Sequence, residues 1–115
     1  MKKIEAIIKP FKLDEVRDAL SAIGLEGVTI SEVKVSSAAH PSGMTRNHHH
    51  NGHCHDDFMP KYKVEVVVPD HRSDQVKEAI LHAARTGRIG DGRLFVLPMY
   101  DAIRIRTAEA GDAAL

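Results

Sequence analysis

The sequence predicts one α+β domain of element order βαββαβ, and three observations predict it. The chain repeats itself at an offset of 60 residues. Each copy reads strand, helix, strand. The residues available for a core are almost all aliphatic, because aromatics make up 4% and Trp is absent. At 115 residues the chain has the size of a single domain.

The repeat is clearest between helices. Asp14-Glu15-Val16-Arg17-Asp18-Ala19-Leu20 faces Asp74-Gln75-Val76-Lys77-Glu78-Ala79-Ile80, every pair identical or conservative. Upstream, Ala6-Ile7-Ile8 faces Val66-Val67-Val68, and Gly24 and Gly87 close the two copies. The first strand runs from Met1 to Ile8 and stops before Pro10. Leu13, Val16, Leu20 and Ile23 recur at helical spacing, with Asp14 and Glu15 in the first turn, where the helix dipole favours acids. Gly24 is a C-terminal stop, and Val28 to about Val35 is the second strand. In the third strand Tyr62, Val64, Val66 and Val68 alternate on one face, with Lys61, Lys63 and Glu65 on the other. The second helix is expected to start at Asp70 or Ser73, either of which can cap it, and to run to Gly87. Leu94 to Leu97 is the fourth strand, and Asp101 to Ile105 reads as a short extra one.

Two such units give the ferredoxin-like arrangement, four antiparallel strands with two helices on one face. Ile7 and Val67 fall on the other face. A domain this small is expected to bury an apolar second face against neighbouring subunits; the alternative is a monomer whose second sheet face stays in water.

Composition excludes several classes. Lys plus Arg is 16 and Asp plus Glu is 16, so no basic excess marks a dedicated nucleic-acid binder. Apolar runs such as Val66-Val67-Val68 are too short to span a bilayer, and Glu5 interrupts what would be a signal-peptide core. The single cysteine, Cys54, allows no internal disulfide, so a cytoplasmic location is the expectation.

Thr86-Gly87-Arg88-Ile89-Gly90-Asp91-Gly92-Arg93 follows a helix and precedes a strand. Its three glycines let backbone N–H groups approach a ligand, and successive N–H groups in such turns cradle anions. Arg88 and Arg93 bracket them, and Arg104 and Arg106 add to the same positive field. These residues read equally as a phosphate-binding loop or as a Gly-rich hairpin beside solvated arginines. The segment lacks the Gly-Lys-Ser/Thr end of a Walker A loop and does not follow a strand, as a Rossmann turn does.

The start of the chain, Met1-Lys-Lys-Ile-Glu-Ala-Ile-Ile-Lys-Pro-Phe-Lys-Leu-Asp-Glu-Val16, resembles that of the PII nitrogen-regulatory signal-transduction proteins. So do Asp57-Phe58-Met59-Pro60-Lys61, the Thr86 to Phe95 segment and Arg104-Ile105-Arg106-Thr107. The likeness covers residues 1–35 and 57–115. It implies a homotrimer with ATP or ADP in the clefts between subunits, no catalysis as the main role, and action through a long loop on enzymes, transcriptional regulators or membrane transporters. Residue by residue, it implies that Ile7 and Val67 pack the adenine and that Thr29 and Glu65 recognise the base and ribose region. It also implies that Gly90, Asp91, Gly92 and Arg93 wrap the phosphates, and that Arg104 and Arg106 reach them across a subunit boundary. Lys61 matches a lysine that contacts the γ-phosphate or 2-oxoglutarate; Arg93 stands where the family usually has Lys.

The loop, residues 36–60, departs from the family. Val35-Ser36-Ser37-Ala38-Ala39 replaces a Gly-rich stretch ending in Gln, and Ala39 offers no side-chain oxygen to magnesium or 2-oxoglutarate. No Tyr occurs between residues 36 and 61, so the family's uridylylation site is missing. The replacement is rich in Gly, Pro, Asn and Ser and is expected to be flexible. Its His48, His49, His50, His53, Cys54 and His55 are competent ligands for Zn, Cu or Ni, though without zinc-finger spacing. The same tract also reads as a solvated linker. His71 and His82 are expected to be plain surface or packing residues. Residues 108–115 form a C-terminal tail. The leading expectation is a nucleotide-binding regulator of a transporter or nitrogen-metabolism enzyme; the alternative is a metal buffer or metallochaperone on the same scaffold.

Overall fold

The computed structural model describes residues 1–36 and 58–115. The metal-ligand candidates His48, His49, His50, His53, Cys54 and His55 lie outside the described residues, as does Ala39.

Strand β1 spans Lys2–Ile8, helix α1 Leu13–Ala22, strand β2 Thr29–Ser36, strand β3 Phe58–Val68, helix α2 Ser73–Ala84 and strand β4 Arg93–Pro98. The sheet order is β2-β3-β1-β4, with every pairing antiparallel. This is the ferredoxin-like arrangement read from the sequence. The duplication holds to the residue: single 3₁₀ turns at Pro10–Lys12 and Asp70–Arg72 precede helices that begin at Leu13 and Ser73.

Period two decides which strand residues enter the core. Ile4, Ala6 and Ile8 of β1 and Val64, Val66 and Val68 of β3 are buried against Val16 and Leu20 of α1 and Val76, Ile80, Ala83 and Ala84 of α2. Each buried Val, Leu or Ile contributes about 1.5–3 kcal/mol. The fully buried set holds no aromatic, and Tyr62 packs at its margin.

Several boundaries and faces differ from the sequence reading. Helix α2 ends at Ala84, because Arg85 turns extended and its N–H closes the last turn on Leu81. Neither Asp70 nor Ser73 caps it by side chain: Asp70 pairs with the Met1 ammonium at 3.0 Å, and the Ser73 hydroxyl is buried without a partner among the described residues. Strand β3 begins at Phe58, so Phe58–Pro60 pair with Lys34–Ser36. Pro60 is tolerated there because β1 reaches only Tyr62, leaving one neighbouring strand. Asp101 to Ile105 is not a strand; Ile103 makes one isolated bridge with Ala110, and a turn separates the two.

The face opposite the helices is not simply apolar. Lys3, Glu5, Lys63 and Glu65 occupy its centre, with Lys3 Nζ 2.9 Å from Glu5 and 3.2 Å from Glu65, and Lys63 Nζ 3.1 Å from Glu65. Ile7, Val67, Phe95 and Leu97 flank this ladder, by the pairing register. On this face β1 carries Lys3, Glu5 and Ile7 and β3 carries Lys61, Lys63, Glu65 and Val67, so charge dominates it. The sequence reading placed Lys61, Lys63 and Glu65 there but rested its expectation of a buried face on Ile7 and Val67.

Candidate functional site

The loop between α2 and β4 is built around one carboxylate. Asp91 accepts from the Thr86 N–H at 3.0 Å, the Gly87 N–H at 2.9 Å and the Thr86 hydroxyl, while Lys9 Nζ lies 3.1 Å away. Lys9 also donates to the Thr86 hydroxyl at 3.0 Å. The Thr86 hydroxyl, the Lys9 ammonium and the two backbone N–H groups together hold the Asp91 carboxyl well below the usual carboxylate range. A charged acceptor with four donors is the strongest local fastening in the loop.

With the turn closed by a side chain, its backbone is left over. The N–H groups of Ile89 and Gly90 have no acceptor among the described residues. Gly90 has φ +94°, and its Cα lies between two lysines: a Cβ built there would sit 3.5 Å from Lys9 Cε and 3.6 Å from Lys61 Nζ. Lys61 donates to the Gly90 carbonyl at 2.8 Å, which ties the loop to β3 near the root of residues 37–57. Gly92, with φ +96°, lies against β1, and any Cβ there would strike the Ile7 carbonyl oxygen. Arg93 then pairs with Ile7 at the sheet edge. Positive charge from Lys9, Lys61, Arg88 and Arg93 thus surrounds a turn with free N–H groups, which is the chemistry of an anion site.

The remaining predicted residues lie elsewhere on the chain. Thr29 pairs with Glu65 across β2 and β3, and together with Val67, Lys3 and Arg72 they line a second cavity of about 630 Å³. Lys63 and Lys3 hold the Glu65 carboxyl below its ordinary range. Asp112, Ala114 and Leu115 wall the same cavity. Arg104 is joined to it through Leu115, whose carbonyl accepts from the guanidinium at 3.4 Å. Arg104 and Arg106 are exposed on the turn that follows Ile103, rather than alternating along a strand.

Ile7 and Val67 therefore belong to different clusters. Val67 is paired with Lys3, four residues along β1 from Ile7. At about 3.4 Å per residue that separates them by roughly 14 Å along the sheet, too far to clasp one ring from a single chain. One group of predicted residues, Ile7, Lys61, Gly90, Asp91, Gly92 and Arg93, sits at one end of the sheet. The other, Thr29, Glu65, Val67 and Arg104, sits towards the opposite end.

Sequence reasoning missed Lys9 and Thr86 as members of the first cluster. A Thr five residues before an Asp in a glycine-rich connection was the available signal for the fastening. Nothing local announced Lys9, which is 77 residues from Thr86. Among the described residues no group of three or more His, Cys, Asp or Glu could hold a metal ion, and His71 and His82 are exposed. No helix is long and apolar enough to cross a membrane among the described residues.

Residues 1–109 match the family model for nitrogen regulatory protein P-II. The chain belongs to the P-II family. Its relatives include the nitrogen regulatory protein P-II of Rhizobium meliloti (strain 1021), 51% identical over 118 residues with both chains covered in full. Nitrogen regulatory protein P-II 1 of Escherichia coli (strain K12) is 47% identical over the same length, again end to end. The crystal structure of Arabidopsis thaliana PII bound to citrate superposes with a TM-score of 0.79 at 39% identity, covering 99% of this chain and 91% of that one. The resemblance read from the first 16 residues and the Thr86–Phe95 segment is borne out. The P-II assignment places the chain among nitrogen-regulatory signal-transduction proteins.

Proposed function

We propose that this P-II protein binds ATP or ADP in clefts between the subunits of a homotrimer and uses the bound nucleotide to set how residues 37–57 engage a partner. The observation that carries this reading is the split site. The anion loop with Ile7, and the Thr29–Glu65–Val67 cavity with Arg104, lie at opposite ends of one sheet. Joined head to tail, one chain's loop meets the next chain's cavity, and with a rotation of a third of a turn between neighbours such a contact closes into a three-membered ring. Phosphates then rest on the Gly90–Gly92 backbone with Lys61 and Arg93, and Arg104 and Arg106 reach them from the neighbour. Asp91 acts by shaping the loop; its carboxylate is already committed to Thr86, Gly87 and Lys9.

Lys61 supplies the route from nucleotide to partner. It holds the Gly90 carbonyl from a strand that leads directly out of residue 57, so a phosphate that draws Lys61 away disturbs the root of that segment. A membrane transporter or a nitrogen-metabolism enzyme is the partner class, in the cytoplasm; catalysis plays no part, and any ATP hydrolysis is slow and incidental. The density of His48, His49, His50, His53, Cys54 and His55 makes a metal-transport system the first partner to test, with Zn, Cu or Ni as the signal. The same density favours a second reading, a metal buffer or metallochaperone in which nucleotide binding is vestigial.

Calorimetry separates the two. In the trimeric protein, Arg93→Ala and Arg104→Ala each weaken ATP by roughly ten- to hundredfold, the loss expected of one charge-assisted phosphate contact at about 1.5–3 kcal/mol. Unchanged affinity in both would leave the metal-buffer reading.

A further inference from the structure

Resting on the nucleotide reading above, we infer that the segment from Asp112 onward is a strap that competes with the nucleotide for its own cavity, so that the site carries a built-in brake. Three observations place the segment there. Asp112, Ala114 and Leu115 line the same cavity as Thr29, Glu65 and Val67. The Leu115 carbonyl accepts from Arg104, a residue assigned to the phosphates. The strap is also tethered at its start: the Gly111 N–H donates to the Ala102 carbonyl at 2.9 Å and to Asp101 Oδ1 at 3.2 Å. Ile103 and Ala110 form a bridge just before it.

The chemistry of the contact makes it reversible. The Arg104 guanidinium faces the Leu115 oxygen through one nitrogen and the Glu109 carboxylate, at 3.9 Å, through another. A phosphate accepts at charge-assisted distance, whereas the Leu115 oxygen is at the outer limit of hydrogen bonding at 3.4 Å. The nucleotide therefore wins Arg104, at the cost of releasing the strap. Leu115 is 41% exposed, so little apolar burial holds it in place. Gly111 has φ +71°, a conformation open to glycine at low cost, and it serves as the pivot. Asp112, Ala114 and Leu115 occupy wall space that the base and ribose would take, so nucleotide and strap compete for the same volume.

The test compares the full chain with one truncated by a stop codon at Asp112, and with Leu115→Ser, which removes the side chain from the rim while leaving the core intact. ATP is titrated by calorimetry into each trimer. The truncated protein should bind ATP three- to tenfold more tightly, and Leu115→Ser should move in the same direction. In the full chain, ATP should speed amide exchange at Gly111 and Leu115. Equal or weaker ATP binding in both variants overturns the strap and makes residues 112–115 an ordinary wall, while the nucleotide reading stands. Absence of ATP binding in all three proteins overturns the nucleotide reading and the strap with it.

Discussion

The two connections from helix to strand, residues 23–28 after α1 and 85–92 after α2, do the same mechanical task by different means. Both open on a glycine with positive φ, Gly24 at +84° and Gly87 at +80°. The first closes on backbone alone: Ile23 and Leu25 donate to the Leu20 carbonyl and Gly24 to that of Ser21. Arg72 from the second half covers the Ile23 carbonyl. The second closes on the Asp91 carboxylate, with Thr86, Gly87 and Lys9 as donors. The first connection commits the N–H groups of Ile23, Gly24, Leu25 and Val28 to main-chain carbonyls, and the second commits those of Thr86, Gly87 and Arg88 to side chains. Both connections border a proposed half-site: Gly24 to Gly27 line the Thr29–Glu65–Val67 cavity, and the second stands among Lys9, Lys61, Arg88 and Arg93. The two copies of the scaffold thus differ in what closes the turn, main chain in one and side chain in the other, and only the side-chain closure comes with a ring of positive charge.

Placing one alanine in each connection gives the largest contrast. Gly92→Ala forces a left-handed alanine against the Ile7 carbonyl, backbone against side chain with neither able to give. The left-handed conformation costs about 1–2 kcal/mol and overpacking about 1–3, so urea unfolding should show a loss of roughly 3 kcal/mol, with ATP binding abolished. Gly24→Ala meets nothing within 4 Å and should lose only the conformational part, about 1 kcal/mol. Equal losses at the two sites would break the comparison.

Asp91→Asn sharpens it. The amide keeps the shape of the carboxylate but loses its charge and half its acceptor capacity, so Lys9 and the Thr86 donors are left competing for one oxygen. ATP affinity should fall roughly tenfold while thermal unfolding hardly moves, since the loop contributes little to the core. An unchanged affinity would mean that the glycines alone shape the turn.

The pH dependence follows from the same carboxylate. Its folded-state pKa is depressed, so the fastening is fully present above the ordinary carboxylate range and is lost only as pH falls through a lower value. Calorimetry between pH 5 and 8 should therefore show no weakening of ATP that traces to Asp91. A wild-type loss near pH 5 that Asp91→Asn lacks would contradict this. The smallest effect concerns a third turn: Ala108 has φ +60° without being glycine. Ala108→Gly relieves about 1–2 kcal/mol of conformational strain and gives back about 0.5–1 in chain entropy, so the melting temperature should rise by a degree or two.

The architecture was legible in the order of residues alone. An offset of 60 residues, period-two valines and helical spacing of Leu13, Val16 and Leu20 are local or self-referential patterns, and the strands and helices follow them within a few residues. The sequence also exposed the Thr86–Arg93 loop, because three glycines among arginines are visible without any contact. What it could not carry were relations between distant residues. Helix α2 ends at Ala84 instead of Gly87 because the Asp91 carboxylate captures the Thr86 and Gly87 N–H groups. Lys9 joins the loop only because β1 and β4 are neighbours in the sheet. Ile7 and Val67 look equivalent in the repeat, yet antiparallel pairing of β1 with β3 sends them to opposite ends. Asp101 to Ile105 has strand composition, but with β4 already at the sheet edge it keeps a single bridge to Ala110. Local propensity is written residue by residue; the choice among partners is made when the sheet closes, and that choice divided the site into two halves.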